Sequence, residues 1–282
     1  MKQLQQNYLE KLSEDGKNWK QIERDTIGQS DSEQWVSLRQ ERLTASKFGI
    51  VCRMRPTTSC AATVKNILYP PPIDTAAMIY GRDQEELARK ELAAKLKKKI
   101  KLCGLFIDYE YSYLGASPDG LIENGLVEIK CPLSAKDLTA EEAVQTLLSL
   151  KKIFNKRNSD KMNLNYRYFY QVQGQLNITQ RDYCIFAIWT PKSLKIVRVD
   201  RDDVFWKNQM LPRLTRFYLE CMLPELVHSR HNRHMPIREP RYILEAKEEA
   251  VKKINKKKIS RVQLRAKVLL NRINDLNVIF RR

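Results

Sequence analysis

The sequence predicts an α/β (α+β) domain in which helices enclose a central, hairpin-based β-sheet. Three observations lead there. Helical spacing of apolar residues precedes and follows a β-rich stretch over 100–131. That stretch alternates apolar and polar residues in LCGLFIDYEY and again in LVEIKC. Two further strand-like runs, 183–190 and 194–199, are joined through Pro191. In chain order, residues 33–54 read as two helical pieces broken near Leu43-Thr44, with Thr44 as N-cap of the helix starting at Ala45. Pro56 and Pro70-Pro71-Pro72 punctuate a short helix at 61–68. Asp74-Thr75 opens a long helical pattern to about Lys98. Helical patterns return at 139–152 and 166–177, and a long helix at 202–223 closes the compact part.

Composition narrows the function. At 282 residues the chain is long enough for one or two domains and a sizeable core. Its hydrophobic content of 43% excludes global disorder. No stretch approaches the ~18 apolar residues of a membrane span, and MKQLQQNYLEKL at the N-terminus has no apolar signal region. The six Cys, at 52, 60, 103, 131, 184 and 221, form no CxxC and read as reduced thiols. An intracellular protein is expected, nuclear in a eukaryotic cell or its virus and otherwise cytoplasmic. The net charge of +18 points to an anionic partner, nucleic acid before a membrane surface. All three His lie at 228, 231 and 234, so a Ser–His or Cys–His mechanism would depend on one basic stretch. Neither GxxxxGK[ST] nor a strand-borne GxGxxG is present, which leaves ATP and dinucleotide chemistry without support.

The informative segment is Ser117-Pro118-Asp119-Gly120 through Val127-Glu128-Ile129-Lys130. Asn124-Gly125 is a hairpin signal. A two-residue turn there pairs Glu123 with Leu126, sets Asp119 against Lys130 and Glu128 against Leu121. Alternation then gathers Asp119, Glu128 and Lys130 on one face and sends Val127 and Ile129 toward a core. Two carboxylates and an ammonium on one patch suit phosphodiester hydrolysis with Mg²⁺ or Mn²⁺, which take hard oxygen ligands. Taken alone, the same patch also reads as a surface ion-pair cluster. Glu85 and Arg89 stand i,i+4 on a helix. Gln171 and Gln175 share a face among Tyr166, Tyr168 and Tyr170. Ser46 falls at a helix start, where free N–H groups favour phosphate, and Arg39 can clamp an anion in bidentate fashion.

The Pro-Asp…Glu-x-Lys pattern resembles the PD-(D/E)xK nuclease superfamily. The wider pattern resembles the YqaJ-like viral recombinase and lambda exonuclease family. The blocks are Trp35-x-x-x-Arg39, Leu43-Thr44-Ala45-Ser46, Gly81-x-x-x-Glu85, Ser-Pro-Asp-Gly, Val127 to Pro132, and Tyr170-Gln171-Val172-Gln173. The resemblance implies a restriction-endonuclease-like core with a mixed sheet. It implies Asp119, Glu128, Glu85 and the Ile129 carbonyl around a pair of Mg²⁺ ions, replaceable by Mn²⁺. Lys130 would be the catalytic lysine, Gln171 a further site residue, and Arg39 and Ser46 the anchors of a terminal 5′-phosphate. The implied activity is exonucleolytic digestion of duplex DNA, 5′ to 3′, leaving a 3′ single strand for recombination or repair. A structure-specific endonuclease on the same core and a non-cutting DNA-end-binding recombination factor are the rival readings. The implied partners are double-stranded DNA, a single-strand annealing or recombination protein, and further copies of the chain in a ring trimer.

The resemblance runs from Trp35 to Glu225 and divides the chain into an N-terminal helical extension (1–32), a nuclease domain (33–226) and a basic C-terminal helical extension (227–282). From residue 241 onward there are 13 Lys/Arg against 4 acidic residues. Val251, Ile254, Ile259, Leu264 and Val268 recur there at roughly helical spacing. This reads as a solvated helix, a DNA-tracking or nuclear-import tail, or a partner-binding helix. Residues 151–165 read as a basic polar loop, exposed or arching over DNA. The interleaved His228, Arg230, His231, Arg233 and His234 read as an exposed basic segment rather than a zinc site.

Overall fold

The computed structural model describes residues 1–71 and 74–279, with side chains in the last helix described for 241–258 and 261–263. Pro72 of the triple proline and the side chains of Ile259, Leu264 and Val268 lie outside the described residues. The chain forms two compact units, residues 1–54 with 61–238, and residues 55–60 with 239–282.

The first unit begins with helices α1 (Lys2–Lys17), α2 (Trp19–Asp25) and α3 (Glu33–Gln40), strand β1 (Leu43–Thr44), and helices α4 (Ala45–Cys52), α5 (Ala61–Leu68) and α6 (Ala76–Leu96). Strands β2 (Phe106–Ile107), β3 (Leu114–Ala116), β4 (Gly120–Ile122) and β5 (Gly125–Lys130) follow. Helices α7 (Ala140–Thr146), α8 (Leu148–Lys151) and α9 (Arg167–Thr179) lead to β6 (Tyr183–Thr190) and β7 (Ser193–Asp200). The main sheet is mixed, in the order β4-β5-β6-β7, with β5 and β6 parallel. A smaller sheet, β1-β3-β2, stands beside it.

The parallel pairing requires a crossover, and α7 to α9 supply it. Both faces of β5 are therefore covered, and its residues Gly125 to Ile129 are all buried. On one face Leu126, Phe186 and Ile188 pack with Ala143, Val172 and Leu176. On the other, Val127, Ile129 and Trp189 pack with Ala88 and Leu92 of α6. Val127 and Ile129 thus point into a core, as alternation requires. The loop between α8 and α9 is polar and exposed over 155–161, but Ile153, Phe154 and Met162 at its two ends are buried in the first of these cores.

Two details differ from the sequence reading. The hairpin pairs Gly120 with Val127, Leu121 with Leu126 and Ile122 with Gly125. Its central residues are Glu123 and Asn124, one position earlier than Asn124-Gly125. Leu121 therefore faces Leu126 and not Glu128. The cause is non-local. Arg181 Nη1 donates to the Glu123 carbonyl at 2.6 Å, the Asp182 N–H donates to the Asn124 carbonyl at 3.0 Å, and the Asn124 amide donates to the Asp182 carboxylate. Gly125 belongs to the strand, because a Cβ there would meet the Tyr183 ring at 2.5 Å. Glu123 takes the positive φ, 48°, that the turn demands. Moving the turn by one residue changes opposing positions by two, so every side chain keeps its face.

The expected helix over 202–223 forms a run over 203–227 in five pieces: α10 (Asp203–Phe205), a π turn (Trp206–Met210), α11 (Leu211–Phe217), a second π turn (Tyr218–Met222) and α12 (Leu223–Val227). Pro212 and Pro224 sit just after the two π turns. Proline offers no N–H and crowds the carbonyl four residues back, and a wide turn before it relieves both problems. The second unit contains helix α13 (Arg241–Ile279). No described helix is long and apolar enough to cross a membrane.

Candidate active site

Strand β5 carries the site at its C-terminal end. Glu128 is 1% exposed, and each oxygen of its carboxylate has a donor. Gln171 Nε2 donates to Oε1 at 2.6 Å, and Gln175 Nε2 donates to Oε2 at 2.6 Å. Lys130 Nζ also donates to Oε1 and lies 5.3 Å from the centre of the Tyr168 ring. Helix spacing explains the two glutamines, which are one turn apart and present one face of α9 to the sheet. Gln175 Oε1 is buried and has no hydrogen-bond partner among the described residues.

Asp119 precedes β4. Its Oδ2 accepts from the Ile129 N–H at 2.6 Å, and its own N–H donates to the Val127 carbonyl at 3.1 Å. The carboxylate thus continues the hairpin where backbone pairing stops. Glu85 approaches from α6 and accepts from Arg89 Nη1 at 3.3 Å. A cleft of about 580 Å³ is lined by Arg39, Glu85, Asp119, Ile129, Lys130 and Tyr168, among others. The structure therefore brings Arg39, Glu85, Asp119, Ile129 and Lys130 to one cleft, with Glu128 and Gln171 directly beneath Lys130.

Charges in this cleft are unevenly compensated. Burial pushes the Asp119 pKa well up, and Glu128 and Glu85 push it further. Glu85 is also raised, by burial first, with Arg89 opposing and Glu128 adding. Burial disfavours the Lys130 ammonium, but Glu128 and Asp119 outweigh it, and its pKa goes up. The two carboxylates therefore favour the charged form of Lys130. Among the described residues, no three His, Cys, Asp or Glu side chains stand ready around a common ion position. That statement also covers the histidine segment, where Arg233 and Arg238 both bond His228 Nδ1.

Arg39 also lines the cleft. Its guanidinium stacks on Trp35 at 4.0 Å, and its Nη1 donates to Ser117 Oγ at 3.3 Å. Trp35 Nε1 donates to the same hydroxyl at 3.0 Å. Burial brings the Arg39 pKa down to about 10, with Glu128 opposing. Ser46 is exposed on the first turn of α4 and does not line this cleft. Thr44 is the N-cap residue, but its hydroxyl meets Ser46 Oγ at 3.3 Å and caps no backbone N–H. Sequence reading passed over two neighbours, Lys47 and Arg167. Burial lowers the Lys47 pKa, and the charges of Arg39 and Arg167 lower it further. Their signal was spatial: α4 and α9 meet so closely that a Cβ on Gly49 would lie 2.6 Å from Arg167 Cα.

Comparison with known proteins bears on the fold and the family. The alkaline nuclease of Autographa californica nuclear polyhedrosis virus is 24% identical, over 67% of this chain and 48% of that one. The chain thus spans about half the length of that curated relative. The alkaline exonuclease LHK-Exo from Laribacter hongkongensis matches with a TM-score of 0.55 and 23% identity, over 72% of this chain and 98% of that one. LHK-Exo in complex with dAMP matches with a TM-score of 0.56, at the same identity and coverage. Both structures share the fold. The model of the YqaJ-like viral recombinase domain matches residues 34–182, more than half of the sequence, and the chain belongs to that family.

Proposed function

We propose that this protein is a metal-dependent deoxyribonuclease that digests duplex DNA 5′ to 3′ from a 5′-phosphorylated end. The observation that carries the reading is that Arg39, Asp119 and Lys130 line one cleft, with Glu128 bonded to Lys130 and Gln171 bonded to Glu128. The relatives named above support the same class.

The donor set fits a hard divalent cation. Burial and the neighbouring Glu128 raise the pKa of both Asp119 and Glu85, which marks negative charge in need of a counter-ion. The orphaned Gln175 Oε1 is a further unmet acceptor beside Glu128. Asp119, Glu128, Glu85 and the Ile129 carbonyl would hold Mg²⁺, with Mn²⁺ as substitute and two ions as the proposed number. Such an ion, when bound, polarises the phosphate and makes water a stronger nucleophile at neutral pH. The chain's own groups do the rest. The Lys130 ammonium donates hydrogen bonds to a phosphate oxygen and offsets charge as the P–O bond breaks. Glu128 and Asp119 favour its protonated form. Gln171 and Gln175 fix the Glu128 carboxylate by donating to one oxygen each. Arg39, with Lys47 and Arg167 as the neighbouring cations, supplies the charge that a terminal phosphate dianion prefers over a diester, and Ser46, exposed on the first turn of α4 and outside the cleft lining, would add only a hydroxyl. The digestion leaves a 3′ strand for an annealing or recombination protein, in the nucleus where the cell is eukaryotic and otherwise in the cytoplasm. A ring of copies is the proposed assembly.

End-labelled duplexes with and without 5′-phosphate, incubated with and without Mg²⁺, test the reading. Expected is Mg²⁺-dependent release of mononucleotides, faster from the phosphorylated end. Cleavage of closed circular duplex at comparable rate would favour an endonuclease, and end binding without cleavage a recombination factor.

A further inference from the structure

Residues 19–31 lie before the segment that the family model matches, yet they reach the cleft. Trp19 packs on Phe106 with ring centres 5.9 Å apart. Thr26 Oγ1 accepts from the Leu105 N–H at 2.9 Å and donates to the Ile22 carbonyl at 2.6 Å. Glu23 Oε1 accepts from the Gly104 N–H at 3.1 Å. Gly104 has no room for a side chain, since a Cβ would lie 2.1 Å from the Glu23 carbonyl oxygen. Helix α2 is therefore seated against the backbone over 103–107 by complementary shape and by hydrogen bonds.

After α2 the chain turns back through Gln29, whose φ is 46°. This left-handed conformation is unfavourable for a residue with a long side chain. What the strain achieves is visible in the side chain. Gln29 Nε2 donates to the Cys103 carbonyl at 2.9 Å and to the Pro118 carbonyl at 3.0 Å. The Cys103 thiol donates to the same Pro118 oxygen at 3.4 Å. That oxygen belongs to the peptide joining Pro118 to Asp119. Gly28, Gln29, Ser30 and Asp31 also line a second cleft of about 260 Å³. Arg82, Glu85, Arg89 and Asp119 line the same cleft, and Arg82, Glu85 and Asp119 border the main cleft too.

We infer that Gln29 is a positioning residue: it holds the Pro118–Asp119 peptide so that the Asp119 carboxylate keeps its orientation, which makes the N-terminal segment a working part of the site. The inference rests on the proposed role of Asp119. Strained residues that survive at such a place are held by what surrounds them, and their conformation serves the site. Partners one step removed from a metal ligand typically change metal affinity or activity by about 10–100-fold when removed.

Two variants test it on the full chain. Gln29→Gly removes the donor while accepting the left-handed backbone. Gln29→Met keeps the length of the side chain and removes the donor. Mn²⁺ affinity is read by calorimetry without DNA, and kcat and KM on 5′-phosphorylated duplex are read separately. Expected is a loss of about tenfold or more in Mn²⁺ affinity and in kcat for both variants, with KM for duplex unchanged and the melting temperature of Gln29→Gly no lower than wild type. Wild-type Mn²⁺ affinity and kcat in both variants would overturn the inference. So would a loss in Gln29→Gly that simply follows a lower melting temperature. Asp119→Asn serves as the control for the underlying reading. If it binds Mn²⁺ and cleaves like wild type, the proposed site itself is wrong. If it loses both while the Gln29 variants do not, only the positioning role falls.

Discussion

Ionising Asp119 carries a cost. Burial, Glu128 and Glu85 all raise its pKa above the usual carboxylate value. A carboxyl raised in the folded protein binds a proton more tightly there than in the unfolded chain. Stability is therefore fully present below the unfolded pKa and is lost as pH rises through the folded one. Asp119→Asn removes that penalty and can still accept from the Ile129 N–H. It is expected to abolish cleavage and to raise the melting temperature at pH 8, with the gain shrinking toward pH 4. Thermal melts across that range check it, and a variant less stable than wild type at pH 8 would contradict the electrostatic account. Lys130→Ala is expected to move stability the other way. It leaves the buried Glu128 carboxylate without its cation, a loss on the order of 3 kcal/mol in urea denaturation, together with loss of cleavage. Opposite stability changes with the same catalytic outcome would separate this site from a plain surface ion pair, whose partners are worth only about 0–1 kcal/mol. Arg39→Ala is expected to slow digestion of 5′-phosphorylated duplex far more than of 5′-hydroxyl duplex, while Lys130→Ala slows both. Equal slowing at the two ends in Arg39→Ala would remove its anchoring role.

Helices α4 and α9 approach each other through glycines. A Cβ on Gly174 would lie 2.3 Å from Phe48 Cδ2, and one on Gly49 would meet the Arg167 backbone. That packing bears on the site, because α9 carries Tyr168, which lines the cleft, and the glutamines that hold Glu128, while α4 carries Lys47. Gly174→Ala is expected to cost about 1–3 kcal/mol in urea denaturation, the usual penalty of overpacking, and to weaken 5′-phosphate preference as the helices part. Unchanged stability and preference would show that the pair can separate without consequence. Elements of this kind show where sequence reading reaches and where it stops. The helices at 61–68 and 76–96 were legible from prolines and from the Asp74-Thr75 start, because those signals are local. The face shared by Asp119, Glu128 and Lys130 was legible because alternation is local too. The turn position was not, because it is fixed by Asp182, 58 residues beyond Asn124, and by the neighbouring Tyr183 ring. The contribution of Gln29 was hidden for the same reason, since its partners Cys103 and Pro118 are distant in sequence.

At the scale of the whole molecule, charge is the dominant feature. The chain carries +18, and the 13 basic against 4 acidic residues from 241 onward account for half of it. Helix α13 spans 39 residues, about 58 Å at 1.5 Å per residue, longer than one turn of duplex DNA at about 34 Å. Within its described part Leu244, Val251, Ile254 and Val262 are exposed, so these four apolar side chains belong to no core. Such a helix can act through charge or through those apolar positions, and salt tells the two apart. Each phosphate that a cation neutralises releases counter-ions and adds about 0.9 to the slope of log affinity against log salt, whereas apolar packing adds nothing. Deleting residues 241–282 is therefore expected to weaken duplex binding most at low salt and to flatten that slope by about 0.9 for every phosphate that α13 neutralises. Cleavage at saturating DNA should be unchanged, because Asp119, Glu128 and Lys130 belong to the other unit. Fluorescence anisotropy with a labelled duplex between low and moderate salt measures it. A truncated, folded protein with an unchanged slope would mean that α13 leaves the phosphates alone, and its exposed apolar positions would then point to a protein partner.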